Sequence, residues 1–235
     1  MTARLIACHS ILQLDARHPL AARCLLDAQD MHRLVMSGFR GWVEDGQPDA
    51  RAQMGVLSTW SVDLRNNVLV LVVQSKVNPD WSHLPGEVLT AKVETLGVDQ
   101  PLRRGDRFSV RAVLAPLTAR RDPKHPERGT RKLPEVRPGH VREWLMKRTQ
   151  PATEDGIPAE DNGTRHVGAV FDPTTLAIRA LPAVTSNHHA GLRISRSEIR
   201  GHLTVTDPEA FRATLADGLG SGRAYSCGLV LVRRP

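Results

Sequence analysis

The sequence predicts an α+β fold built from two tandem ferredoxin-like βαββαβ units. Its 235 residues leave room for two domains of about 100 residues each. The apolar pattern opens strand, helix, strand, strand, which is how a βαββαβ unit begins. A second mixed set of elements follows and closes on a helix and a strand. The two units are placed at residues 1–100 and 101–235.

Arg4 to Leu14 is apolar and partly alternating, the mark of a half-buried strand. From Asp27 to Trp42, the residues Met31, Leu34, Val35, Gly38, Phe39 and Trp42 fall at helix spacing with one apolar face. Met54–Asp63 and Val68–Ser75 read as strands joined by a turn at Arg65-Asn66-Asn67. Pro79-Asp80-Trp81 opens a turn or short helix, and Arg107–Leu117 alternates as another strand. Thr118 to Arg137 is basic and broken by three prolines, so it reads as a loop or an extended hairpin. Pro138 starts a helix to Lys147, since proline suits a first helical turn. Gln150–Arg165 has the composition of a linker. Strands follow at Val167–Phe171, Leu176–Leu181 and Leu192–Val205. Asp207 is an N-cap residue for a helix to Asp217, and a last apolar strand ends the chain.

Charge narrows the partners. Residues 103–148 carry 14 basic and 5 acidic side chains, which accounts for more than the whole net charge of +7. A positive field concentrated in one stretch favours a polyanion, with nucleic acid first. The alternative is a solvated basic loop. The longest apolar run, Val68–Val73, is too short to span a bilayer, and Leu5–Cys8 is too short for a signal peptide. No membrane partner is expected. Cys8, Cys24 and Cys227 are odd in number and unpaired in spacing, which fits a reducing cytoplasm and neither a disulfide framework nor a zinc cluster.

The end of the chain is rich in glycine: Gly218, Gly220, Ser221, Gly222 and Arg223 precede Tyr225, Ser226, Cys227 and Gly228. Such a loop admits close approach to its backbone, and its N–H groups suit an anion. It also reads as a tight turn before the last strand.

Four stretches, in order, resemble the CasE family, the CRISPR-associated endoribonucleases of type I-E systems. They are Met31-His32-Arg33; Val73-Gln74-Ser75 with Pro79-Asp80-Trp81-Ser82; Gly105–Arg121 with the basic segment through Arg148; and Gly201–Val205 with Asp207-Pro208-Glu209 and the glycine-rich end. Together they span nearly the whole chain. The resemblance implies RRM-related ferredoxin-like domains. It implies metal-free cleavage of CRISPR repeat RNA at the base of its stem-loop, without a cofactor. It also implies retention of the product within the type I-E surveillance complex, whose other subunits become partners.

Metal-free RNA cleavage uses the substrate's own 2′-hydroxyl, leaving a 2′,3′-cyclic phosphate and a 5′-hydroxyl. One proton leaves the 2′-oxygen and another goes to the 5′-oxygen. Histidine suits either task near neutral pH. Spacing alone reads His32 as a helix histidine beside an apolar face; the resemblance makes it the general base or acid. Some family members carry a tyrosine three residues earlier, where this chain has Gln29. Glutamine can position a phosphate but cannot exchange a proton. Arg33 is a further candidate, for phosphorane charge.

Arg120, Arg121, Lys124, Arg128, Arg131 and Lys132 lie on the expected hairpin and suit an A-form stem, which is read by shape and phosphate. Gly220, Ser221, Gly222 and Arg223 are expected either against RNA backbone or at a domain interface. His188-His189 lacks the further ligands a metal needs, and Cys227 reads as a buried thiol. Two other functions stay open: an RNA-hairpin-binding subunit that does not cut, and a metal-dependent hydrolase.

Overall fold

The computed structural model describes residues 2–42, 47–121, 129–149 and 166–235. The expected linker Gln150–Arg165 and the candidates Lys124 and Arg128 lie outside the described residues.

Alternating burial along β1 (Thr2–Asp15) turns one row of side chains inward and centres this strand in the first sheet. That sheet also holds β2 (Leu57–Asp63), β3 (Val68–Ser75) and β4 (Glu94–Arg103), in the order β2-β3-β1-β4 with every pair antiparallel. Asn67, at φ 54°, makes the turn between β2 and β3 where Arg65-Asn66-Asn67 predicts one. β4 is absent from the sequence reading. It is polar, contains Gly97 and Pro101, and is mostly exposed, as an edge strand tolerates.

Between β1 and β2 run α1 (Pro19–Leu26), α2 (Ala28–Ser37) and the single turn α3 (Ala50–Gln53). α1 also escaped the sequence reading; Pro19 opens it and the His18 side chain accepts from the Leu20 N–H at 3.2 Å. α2 buries Met31, Leu34 and Val35 against Leu12, Leu14, Leu69 and Leu71. The helix stops at Ser37, short of the expected Trp42. At Gly38 the chain meets Trp81 so closely that a Cβ would lie 2.5 Å from the ring.

The expected strand Arg107–Leu117 divides into β5 (Arg107–Leu114) and β6 (Leu117–Arg121), either side of Ala115-Pro116. β6 pairs with β7 (Thr130–Pro134) as a separate two-stranded hairpin. α4 (Pro138–Thr149) follows, and its Trp144 Nε1–H donates to the Leu117 carbonyl at 3.0 Å, tying the hairpin base to the helix. Then come β8 (Ala169–Phe171), β9 (Ala177–Thr185), β10 (Arg193–Val205), α5 (Pro208–Asp217) and β11 (Val230–Arg233). The second sheet runs β11-β5-β10-β8, with β9 also paired to β10. Asp207 caps α5 as expected, accepting from the N–H groups of Glu209 and Ala210.

The larger core crosses between the sheets. Phe108, Leu114, Leu145, Ile199 and Phe211 pack in one cluster with Ala3, Leu5 and Leu102 of the first sheet. α5 lies against β1, and buried Gln74 Nε2–H donates to the Leu215 carbonyl at 2.8 Å. Burial of this shared apolar surface holds the two halves together. No helix among the described residues is long and apolar enough to cross a membrane.

Candidate active site

The glycine-rich end of the chain folds back onto α2. Gly228 N–H donates to the Val113 carbonyl at 2.7 Å, Leu219 N–H to Gly228 at 2.9 Å, and Ser221 Oγ–H to Ala115. Gly220 (φ 84°) and Gly222 (φ 69°) take the left-handed backbone that these reversals require. Ser226 takes it too, at φ 57°, and its buried hydroxyl bonds Ser58 on β2 at 2.9 Å. Loop and first sheet are thereby locked together. Arg223–Tyr225 forms a short turn that lies against α2.

His32 meets this turn. Its Nδ1 lies 3.0 Å from the Ala224 carbonyl oxygen. A carbonyl only accepts, so Nδ1 carries the hydrogen and Nε2 is left with a free lone pair. Burial pushes the His32 pKa down, and the charges of Arg51 and Arg33 add to that, against the opposing bond to Ala224. The imidazole is therefore neutral at pH 7 and basic at Nε2.

Tyr225, the only tyrosine in the chain, stands beside it. Its ring centroid is 6.1 Å from that of His32, and its hydroxyl makes a long contact of 3.5 Å to Gln29 Oε1. Gln29 and His32 are three residues apart on α2, so they share a face. One hydroxyl and one imidazole thus face the same space.

Asp27 fixes this helix. It is buried, caps α2 by accepting from the Gln29 N–H at 2.8 Å, and accepts from the Asn187 N–H at 2.7 Å. Burial alone raises its pKa, but bonds from Asn187, Ser186, Gln29 and Asp30 outweigh that and hold it at about 2. One carboxylate therefore ties α2 to the turn between β9 and β10.

Among the sequence-stated candidates, the structure brings His32, Gln29 and the Gly220–Arg223 loop together. Arg33 is exposed and engaged with Asp30 Oδ1 and His188 Nε2, each at 3.2 Å. Ser221 is tied to Ala115 between β5 and β6, and Arg223 is held within the loop, donating to the Gly220 carbonyl at 3.1 Å. Arg131 and Lys132 are exposed on β7, opposite Arg120 and Ala119 of β6 in the ladder, with Arg121 opposite Thr130. Among the described residues, no three His, Cys, Asp or Glu side chains gather as a metal site. Cys227 is buried, which pushes its thiol up to about 12, far from a reactive thiolate.

Two residues of the site escaped the sequence reading. Arg51 lies close enough to His32 and Arg223 for their charges to interact, and no motif marks it. Tyr225 carried one usable signal, as a lone tyrosine within a loop otherwise poor in side chains.

Two antiparallel sheets, joined by a shared core and carrying a neutral histidine among arginines at their junction, define a two-sheet α+β protein with a basic, histidine-centred site. The chain belongs to the CRISPR-associated protein family, whose model, described as "CRISPR associated protein", matches residues 9–234. Its fold is similar to that of Thermus thermophilus Cse3 bound to an RNA representing a pre-cleavage complex (21% identity, 97% of this chain and 99% of that one, TM-score 0.69). It is similar as well to the CRISPR-associated protein Cas6e from Escherichia coli K-12 (15% identity, 97% and 100%, TM-score 0.63). A chain of a CRISPR RNA-guided surveillance complex shares the fold too (21% identity, 97% and 100%, TM-score 0.59). None of the curated proteins compared matches the sequence.

Proposed function

We propose that this protein is a metal-independent endoribonuclease that cleaves CRISPR repeat RNA at the base of its stem-loop and remains bound as a subunit of a type I-E surveillance complex. The observation that carries the proposal is the bond from His32 Nδ1 to Ala224, which leaves Nε2 of a neutral imidazole free to act as a base. His32 Nε2 takes the 2′-hydroxyl proton. The 2′-oxygen bonds to phosphorus, the bond to the 5′-oxygen breaks, and a 2′,3′-cyclic phosphate and a 5′-hydroxyl result. Tyr225 gives the leaving oxygen its proton, which the imidazolium restores through solvent. Gln29 holds the Tyr225 hydroxyl, and Arg51 and Arg223 stabilise the charge that develops on phosphate. Arg33 is the outer member of this arginine group.

The β6–β7 hairpin, with Arg120, Arg121, Arg131 and Lys132, takes the RNA stem. Support comes from its charge and from the RNA-bound Cse3 that shares the fold. The two sheets are two ferredoxin-like units divided near residue 100. Numbered within its unit, the first sheet follows the order 4-1-3-2, and the five-stranded second sheet does so when β8 and β9, which both pair with β10, are counted as one broken strand; the first unit has the short turn Gly86–Val88 where a second helix would be.

The test is cleavage of the organism's own repeat RNA in EDTA, with and without a 2′-deoxy sugar at the cut. Cleavage of the unmodified RNA alone is expected. Tight hairpin binding without cleavage would instead favour a subunit that keeps the RNA and does not cut, and EDTA sensitivity would favour a metal-dependent hydrolase.

A further inference from the structure

A cavity of about 340 Å³ opens beside the His32 site, between α1–α2 and β2 on one side and β5, β9 and β10 on the other. Tyr225, whose ring centroid lies 6.1 Å from that of His32, lines it together with Met31, which places the cavity next to the imidazole. Two features give it a chemical character. Trp60, Val62 and Leu181 offer an apolar wall, with Leu26 and Leu64, 76% and 82% exposed, at its rim. Opposite lies an unbalanced charge cluster. Arg111, Arg179 and Arg200 all donate to Glu198, the only carboxylate among them. Arg196 is only 7% exposed and has no carboxylate partner among the described residues. It donates to the Pro182 carbonyl at 2.8 Å and lies over the Trp60 ring, 4.3 Å from its centroid. Three guanidinium groups, those of Arg111, Arg179 and Arg196, thus line the cavity with one carboxylate, Glu198. A buried arginine held by an aromatic ring and one carbonyl keeps its affinity for an anion.

We propose that this cavity binds one unpaired nucleotide of the substrate RNA, adjoining the nucleotide that is cut. The volume lies at the low end of the range for small-ligand sites, about 300–1,000 Å³, and suits one nucleotide but not a duplex. The apolar wall takes the base, and Arg196 with Arg179 takes its phosphate, the combination by which proteins hold single strands. Glu198 is held ionised by its three arginines and can accept from an exocyclic amino group of the base. A nucleotide seated there fixes the strand as it enters the His32–Tyr225 site, so the cavity adds selection for the sequence beside the stem.

This inference rests on the proposed RNA cleavage, and the experiment separates the two. Binding of the parent protein is measured for a repeat hairpin with its single-stranded flanks, for the same hairpin trimmed of them, and for flanked hairpins with one abasic nucleotide at each unpaired position in turn. The flanked RNA should bind at least fivefold more tightly than the trimmed one. A single abasic position should remove most of that gain, as loss of one stacked base does. Arg196→Gln and Trp60→Leu should remove the flank preference and leave the affinity for the trimmed hairpin within twofold. Equal affinity for flanked and trimmed RNA, or no sensitive unpaired position, would overturn the proposal and leave the nuclease reading intact. Failure to bind either RNA would overturn the nuclease reading, and this one with it. The abasic scan uses the unaltered protein, so misfolding of a variant does not affect its outcome.

Discussion

In the proposed mechanism the two nitrogens of His32 have separable duties, and a set of three substitutions isolates them. Asparagine places an amide N–H near the position of Nδ1 and has nothing at Nε2. Glutamine reaches the Nε2 position but cannot serve as a base. Alanine has neither. The 3.0 Å bond to Ala224 contributes about 1 kcal/mol to stability, so His32→Ala should lose about 1–2 kcal/mol in urea unfolding. His32→Asn keeps a donor to Ala224 and should lose less than about 1 kcal/mol. Loss of a general base slows cleavage by roughly 10²–10⁴, equivalent to about 3–5 kcal/mol of activation free energy. All three variants should show that loss in single-turnover cleavage while binding the stem-loop within about threefold of the parent. If His32 served only to hold the loop, His32→Asn would cleave nearly as well as the parent and His32→Ala poorly. Cleavage by His32→Asn within tenfold of the parent would refute the assignment of Nε2 as the base.

Three further outcomes follow from the same geometry. Burial and the charges of Arg51 and Arg33 lower the His32 pKa, so single-turnover cleavage should fall only below the usual histidine range. Arg51→Met should move that acid limb to higher pH. The lowered pKa also means that the contribution of His32 to folding is complete above the unfolded-state value, about 6.5, and is lost as pH falls through the folded one. In the hairpin, Arg131→Ala and Lys132→Ala should each weaken stem-loop binding and make the slope of log affinity against log salt shallower by about 0.7–0.9, with a titration in potassium chloride as the check. Gly38→Ala should cost about 1–3 kcal/mol in urea unfolding, because its Cβ would meet the Trp81 ring at 2.5 Å; stability equal to the parent's would contradict that packing.

Much of the fold was legible because periodicity reports burial. β3 begins where its apolar run does and ends at Ser75 as expected, and α5 begins after the expected cap at Asp207. α2 was legible through Met31, Leu34 and Val35. β4 was not, since an exposed edge strand has little burial to impose a pattern and is defined by its pairing with β1. α1 was missed because two turns of helix at His18-Pro19 carry a weak local signal. At the site, His32 and Gln29 were singled out by resemblance alone, since their spacing reads as an ordinary helix face. Their partners are fixed by tertiary packing. Nothing local reveals that Ala224 meets His32 across 192 positions, that Asp27 caps a helix and also holds Asn187, or that Arg51 lowers a histidine's pKa.

The reach of that one bond also orders events in time. His32 emerges in synthesis 192 positions before Ala224, and Tyr225 follows next. Until those two residues are made, His32 has no acceptor to fix its tautomer and no phenol beside it. A nascent chain therefore carries this imidazole unoriented until Ala224 and Tyr225 have emerged. Chains cut short before Tyr225 lack β11 and the loop together. On the proposed mechanism, synthesis through Tyr225 is thus itself a checkpoint on the chemistry: a copy that stops short of this loop should not cut RNA.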